Sequence, residues 1–239
     1  MVKLNQSPDL AIPKGSWVLV IGATGYLATH IINEFLTFGY KVIGTARNGE
    51  KADRTRQLFA QYGSSNYDCA VVPDMAVDGA FDEAAKGVSA VIHTASIMSF
   101  DKDPNKVIPQ AVAGITTALK AAAKERSVKR FVYTSSSVAA TLSKPGKIFY
   151  IDSTTWNEES VKAAWEPAPY EDGREWQNYA AAKPESAKAV WKFLEDEKPG
   201  FVVNTVCPNA NIGTILAKDQ SPSTGRWVLN LYNGQGRKR

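Results

Sequence analysis

Apolar and polar positions along this chain change rhythm at regular intervals. Five consecutive apolar residues, Trp17-Val18-Leu19-Val20-Ile21, have the length and β-branched content of a buried parallel strand. After Gly22, Gly25 and Ala28 the rhythm becomes helical, with Leu27, Ile31, Ile32, Phe35 and Leu36 apolar. Gly39 supplies a C-cap, and Lys41 to Ala46 reads as a second strand. The pattern then predicts a helix over Glu50 to Gly63 and strands over Asp68 to Val72 and Ala90 to Thr94. A long helix over Pro104 to Arg126 and a fifth strand over Lys129 to Thr134 follow. Such alternation predicts an α/β chain built on a doubly wound parallel sheet. From Thr141 to Gln177 the periodicity lapses while Trp156, Trp165, Pro167, Pro169, Tyr170 and Trp176 accumulate. A loop this long is more often functional than idle, and its aromatics either wall a pocket, the slightly favoured reading, or pack a satellite core. Helical periodicity returns over Trp176 to Glu197, then a sixth strand over Phe201 to Cys207 and a short helix over Gly225 to Asn233.

The turn between the first strand and first helix carries the first chemical signal. A strand that turns through small residues into a helix leaves unsatisfied N–H groups and the positive end of the helix dipole facing outward, a seat for a phosphate anion. Gly22 permits the tight turn, Gly25 allows a pyrophosphate to approach the backbone, and Ala28 keeps the helix near the sheet, as in the Rossmann arrangement. At the end of the second strand, where the adenosine ribose is read, stands Arg47, with Lys51 one helical turn on and no acid at the strand end. A guanidinium fork plus an ammonium favours a 2′-phosphate, hence NADPH over NADH. Asp74 at the third strand end either hydrogen-bonds an adenine amino group or caps a helix. Small residues after the fourth strand, Thr94-Ala95-Ser96, let a cofactor lie on the backbone, whereas His93 reads as a packed strand residue. Hydroxyls crowd the fifth strand's carboxyl end (Thr134-Ser135-Ser136-Ser137), and the i, i+4 pair Tyr179 and Lys183 shares one helix face.

Composition narrows the setting. The chain has 239 residues, 44% hydrophobic and 22% charged, enough for one large α/β domain. A net charge of +4, with three positive charges in Arg237-Lys238-Arg239, suggests no nucleic-acid partner. Cys69 and Cys207 sit in apolar runs and read as buried thiols rather than a disulfide, and two distant histidines, His30 and His93, make a metal site improbable. The polar, proline-broken N-terminus and the lack of any long apolar stretch predict a cytoplasmic protein with no membrane partner.

The order of these features carries more information than any one of them: phosphate turn, Arg at the second strand, Ser cluster at the fifth, then Tyr and Lys. Together with VLVIGATGYLATHI, GTARNGEK, VVPDM, VKRFVYTSSSV, YAAAKPESAKAVWKF and PNANIGTI, the chain resembles the extended branch of the short-chain dehydrogenase/reductase superfamily. It is most similar to fungal aldehyde/ketone reductases related to plant dihydroflavonol reductases. The shorter, single-domain members have one more residue between the first two glycines and a much briefer Ser–Tyr interval than the 42 residues between Ser136 and Tyr179. The resemblance implies a catalytic triad of Ser136, Tyr179 and Lys183. Tyr179 would be the general acid, Lys183 would lower its pKa and hold the nicotinamide ribose, and Ser136 would orient the carbonyl. It implies cofactor contacts from Gly22, Thr24, Gly25, Tyr26, Leu27, Arg47, Lys51, Asp74, Met75, Thr94, Ala95, Ser96 and Pro208 as well as from Tyr179 and Lys183. The implied function is NADPH-dependent reduction of a small-molecule aldehyde or ketone by a monomer or weak dimer.

Some residues depart from that pattern. Ile21 replaces a common threonine, Thr117 stands where many relatives have asparagine, and Pro184 follows Lys183 inside a helix, where a kink is expected. Relatives run on well past this length, so one domain over 1–239 is expected, with an incomplete C-terminal substrate lobe drawn from about 141–176 and 207–239. The ending reads as a truncated reductase, with exposed apolar surface where the rest of the lobe would pack. A non-catalytic NADP-binding or redox-sensing protein, and an epimerase or dehydratase of the same branch, remain the alternative functions.

Overall fold

The computed structural model describes residues 10–96, 101–217, 220 and 224–235; the polar N-terminus and the Arg237-Lys238-Arg239 cluster lie outside them. Six strands form one parallel sheet: β1 (Trp17–Ile21), β2 (Lys41–Ala46), β3 (Tyr67–Val71), β4 (Ala90–His93), β5 (Arg130–Thr134) and β6 (Val202–Val206). Their order, β3-β2-β1-β4-β5-β6, reverses beside β1, as expected of a doubly wound sheet. β1 lies at the centre because it is apolar on both faces. Val18, Leu19, Val20 and Ile21 are each at most 1% exposed, and burying such a side chain contributes about 1.5–3 kcal/mol.

Helices α1 (Tyr26–Thr37), α2 (Gly49–Leu58), α3 (Asp82–Ala85), α4 (Pro104–Lys124), α5 (Glu158–Ala164), α6 (Arg174–Glu197) and α7 (Gly225–Tyr232) connect or follow the strands. The core is split by the sheet. One cluster packs α4 and α6 against it through Leu119, Phe131 and Val190; the other packs α1 through Val20, Ile32 and Val42. Alanines at 181 and 182 of α6 pack against Ile108 of α4 and Ala164 of α5. Small side chains at that contact bring the helices close together, so what α6 carries is held against the sheet. Asn178, fully buried, fixes the same helix by donating to the Asp101 and Lys102 carbonyls, both at 2.9 Å.

Element ends differ from the sequence reading in informative places. The second helix stops at Leu58, and a 3-10 turn at Ala60–Tyr62 leads to Gly63 at φ +81°. The aperiodic stretch contains α5, whose buried Asn157 accepts from the Ser160 N–H, and α6 already starts at Arg174. α6 continues through Pro184 without a break. Cys69 is buried as expected, but Cys207 is exposed, because β6 is an edge strand and the residue lies just beyond it. Exposed apolar side chains include Val202 and Val206 of β6, and Trp227, Leu229 and Leu231 of α7. Among the described residues no helix is long and apolar enough to cross a membrane.

Candidate active site and nucleotide cleft

The glycine turn is built as the sequence requires. Gly22 has φ +88°, and a Cβ there would lie 3.0 Å from the Ala95 Cα and N, so only glycine lets the β1 and β4 ends meet. Thr45 of β2 pins the turn: its hydroxyl accepts from the Gly22 N–H at 3.1 Å and its carbonyl from the Ala23 N–H at 2.9 Å. Gly25 precedes α1 in extended conformation and offers no side-chain cap, and the first turn of α1 carries no acid. Neither its cap residue nor its first turn offsets the positive end of this helix, which suits a phosphate.

Beside this turn a cleft of about 620 Å³ lies between α1 and α2. It is lined in part by Thr24, Gly25, Tyr26, Lys51, Arg54 and Gln220. Lys51 is placed by Asn48, whose side chain accepts the Lys51 N–H and caps α2. Arg47 is exposed just past β2, outside the cleft lining, and Leu27 does not line it either. Asp74 is exposed and accepts from the Ala76 N–H at 2.8 Å, forming a local turn; no helix begins there. Arg54 and Gln220 were not singled out from sequence. Gln220 donates to the Thr24 carbonyl and accepts from the Thr29 hydroxyl, an approach between distant segments that carries no local sequence signal.

The second cluster lies where β4, β5 and α6 meet. Met75, Ala95, Ser96, Tyr179 and Lys183 line one cavity of about 20 Å³, together with His93, Tyr133 and Ser186. The Lys183 ammonium stands 5.5 Å from the Tyr179 ring centroid, and Trp176 stacks on the same ring at 5.3 Å. Ser136 is buried at the end of β5, with its oxygen facing the Val138 N–H. The Ser137 N–H donates to the Pro208 carbonyl at 3.0 Å, bringing Pro208 to the serine cluster. Asn157 braces that turn by donating from its side chain to the Val138 carbonyl. Its place before two glutamates at a helix start is a capping signature that sequence reading could have used. Of the loop aromatics, Trp156 packs on the core and Trp165 is exposed, while Trp176 reaches the Tyr179 ring.

Burial raises the Tyr179 pKa above the ordinary phenol value, and the neighbouring Ser136 hydroxyl pulls it back in part. The lowering expected from Lys183 is not what this geometry delivers, since the ammonium lies over the ring face. Burial in turn pushes the Lys183 pKa down to about 8. Below pH 8 both folded and unfolded chains carry this charge, and the folded state bears its whole desolvation cost. Between about 8 and 10.5 the unfolded chain binds more protons, so stability rises with pH; above 10.5 the cost is gone. Lys183→Met should therefore raise stability at pH 7 by on the order of 3 kcal/mol, with a much smaller gain at pH 10. Thermal unfolding of both proteins at the two pH values checks this.

A parallel sheet with a phosphate-seating turn at its first strand, a Ser cluster at the fifth and a Tyr–Lys pair on the next long helix is a specific combination. The sequence pattern of the NAD dependent epimerase/dehydratase family matches residues 18–211. The chain belongs to that family.

Within the NAD dependent epimerase/dehydratase family, the chain is 43% identical over 222 residues to the NAD-dependent epimerase/dehydratase terH of Aspergillus terreus, covering 92% of this chain and 65% of that protein. It is 42% identical over 237 residues to aldehyde reductase 2 of Sporidiobolus salmonicolor, covering 98% and 68%. Among solved structures, yeast methylglyoxal/isovaleraldehyde reductase Gre2 complexed with NADPH matches with a TM-score of 0.72 and 30% identity, over 84% of this chain and 60% of that one. The chain thus spans about two thirds of the length of these relatives.

Proposed function

We propose that this family member is an NADPH-dependent reductase of a small-molecule aldehyde or ketone. The observation that carries the reading is the joint placement of Tyr179 and Lys183 on one small cavity with Ala95 and Ser96, while Ala95 also abuts the Gly22 turn. A phosphate seat and a proton-donating phenol then lie along the same carboxyl end of the sheet. Aldehyde reductase 2 and Gre2, by their names, act on carbonyl compounds, and the latter is described with NADPH; these likenesses favour the reductase reading.

The residues present fit the cofactor. The uncapped N-terminus of α1 and the Gly22–Gly25 turn would take the pyrophosphate, and Arg47 with Lys51 the 2′-phosphate. Asp74 and Met75 would border the adenine, and Thr94, Ala95, Ser96 and Pro208 the nicotinamide side. When bound, NADPH supplies the hydride. Tyr179, kept protonated at neutral pH by burial, gives its proton to the carbonyl oxygen. The Ser136 hydroxyl donates a hydrogen bond to that oxygen and orients it, and Lys183 holds positive charge beside the phenol and anchors the nicotinamide ribose. A cytoplasmic monomer or weak dimer is the setting we assign.

The test is a parallel titration with NADPH and NADH, followed by a panel of carbonyl compounds monitored by NADPH oxidation. NADPH should bind the tighter of the two and be consumed. Equal affinities, or no consumption with any carbonyl, overturn the reading. Arg47→Ala should weaken NADPH by about 10- to 100-fold and leave NADH unchanged, the value of one or two charge-assisted hydrogen bonds.

A further inference from the structure

A buried histidine stands behind the Tyr179–Lys183 pair without a partner of its own. His93 ends β4, is 2% exposed, and neither ring nitrogen has a hydrogen-bond partner among the described residues. Native proteins seldom leave such groups unsatisfied, so an unpaired buried imidazole calls for a reason. The ring packs edge-on against Tyr133, with centroids 5.9 Å apart, and borders the same 20 Å³ cavity as Lys183. That is room for one water molecule with several polar neighbours. Lys183 is 7% exposed, and among the described residues no carboxylate or carbonyl pairs with its ammonium.

The chemistry of the ring decides which role it can take. The backbone carbonyls of Gly114 and of His93 itself lie near the ring, but neither completes a hydrogen bond with it, and a neutral imidazole carries one N–H and one lone pair. The second nitrogen, a lone pair, is left for the cavity. Burial first, and the Lys183 charge second, push the His93 pKa down to about 4, so the ring is neutral across the working range. The other ionisable groups that share the cavity with it and Lys183 are Tyr133 of β5 and Tyr179 of α6, while Cys207 after β6 acts on Tyr133; α4 contributes Ala111 and Ile115, which carry no charge. Thr117, also on α4, spends its hydroxyl proton at 2.6 Å on the Met75 carbonyl.

We propose that His93 is a positioning residue for Lys183: through one water in this cavity its unprotonated ring nitrogen accepts a hydrogen bond relayed from the Lys183 ammonium, which is thereby held beside Tyr179. The proposal rests on the reading of Tyr179 and Lys183 as the reactive pair. It adds the element that keeps the ammonium in place when no carboxylate does so.

The full chain has only two histidines, so ring nitrogens labelled with ¹⁵N give two sets of signals, and His30→Gln assigns them. His93 should show one protonated and one hydrogen-bonded, unprotonated nitrogen from mildly acidic to mildly alkaline pH. Lys183→Met should move the unprotonated signal toward that of a free lone pair. An unmoved signal, or a doubly protonated ring at neutral pH, overturns the proposal without reference to turnover. In parallel, His93→Phe should lose about tenfold in kcat at unchanged KM for the carbonyl compound, with His93→Asn recovering most of it. Equal kcat in the Phe variant also overturns the proposal. A native chain that neither binds NADPH nor reduces a carbonyl removes the reductase reading, while the nitrogen spectra still decide whether His93 and Lys183 are coupled.

Discussion

Tyr179→Phe should leave NADPH affinity within about threefold of native and lower kcat for carbonyl reduction by about 10²- to 10⁴-fold, the usual worth of a positioned general acid. The substitution removes one oxygen and keeps the ring, so the stack on Trp176 and the contact with the Lys183 ammonium persist. Among the described residues the phenol makes no hydrogen bond that closes the fold; its identified polar neighbour is Ser136, whose hydroxyl eases a pKa that burial has raised. A raised pKa suits the reductive direction, because the proton to be given away is present throughout the neutral range. Native turnover should therefore be flat with pH near neutrality and fall in alkaline solution as first Lys183, pushed down to about 8, and then the phenol lose their protons, and the Phe variant should lose the phenol's part of that limb along with its rate. Steady-state kinetics across pH, with NADPH binding measured separately, checks both parts. Unchanged turnover would remove Tyr179 as the acid.

How much of this could be read from residues alone depends on whether the determinant is local. β1, β2 and the i, i+4 relation of Tyr179 and Lys183 were readable because each is set within a few residues by burial pattern or helix pitch. α5 was missed because seven residues with two leading glutamates show no apolar stripe; its signal is the Asn157 cap. Cys207 was misjudged because strand order, and hence which strand forms the edge, is not written in any one strand. His93 illustrates the limit most clearly. Its apolar flanks predicted a packed residue, and it is one, but that it packs toward Lys183, 90 positions on, follows from β4 pairing with β5 while α6 covers α4. Pro184 was expected to disturb its helix; the ring removes one donor from a 24-residue helix otherwise held by close packing on α4 and α5, and the helix runs on.

Gly22→Ala should cost both the fold and the cofactor. At φ +88° a side chain adds about 1–2 kcal/mol of backbone strain. The new Cβ would also lie 3.0 Å from the Ala95 Cα and N, backbone atoms that cannot rotate aside, which adds about 1–3 kcal/mol. For a chain of this size the sum lowers Tm by about 5–15 °C. The displaced segment, Thr94 to Ser96, borders the proposed nicotinamide side, so NADPH affinity should fall by at least about tenfold in the same variant. Gly25→Ala separates the two effects. Gly25 has φ −75°, so alanine adopts its backbone without strain, and its Cβ would meet the Gly22 carbonyl oxygen at 3.2 Å and the Ala28 Cβ at an ordinary 3.9 Å. Stability should change by about 1 kcal/mol or less, whereas the methyl group stands at the N-terminus of α1 where the pyrophosphate must approach the backbone. Thermal unfolding with and without NADPH distinguishes the pair: the native chain gains Tm on adding the nucleotide, Gly25→Ala starts near native and gains little, and Gly22→Ala starts low and gains little. If Gly25→Ala is stabilised by NADPH as fully as the native chain, the turn is a structural hinge and the phosphate lies elsewhere.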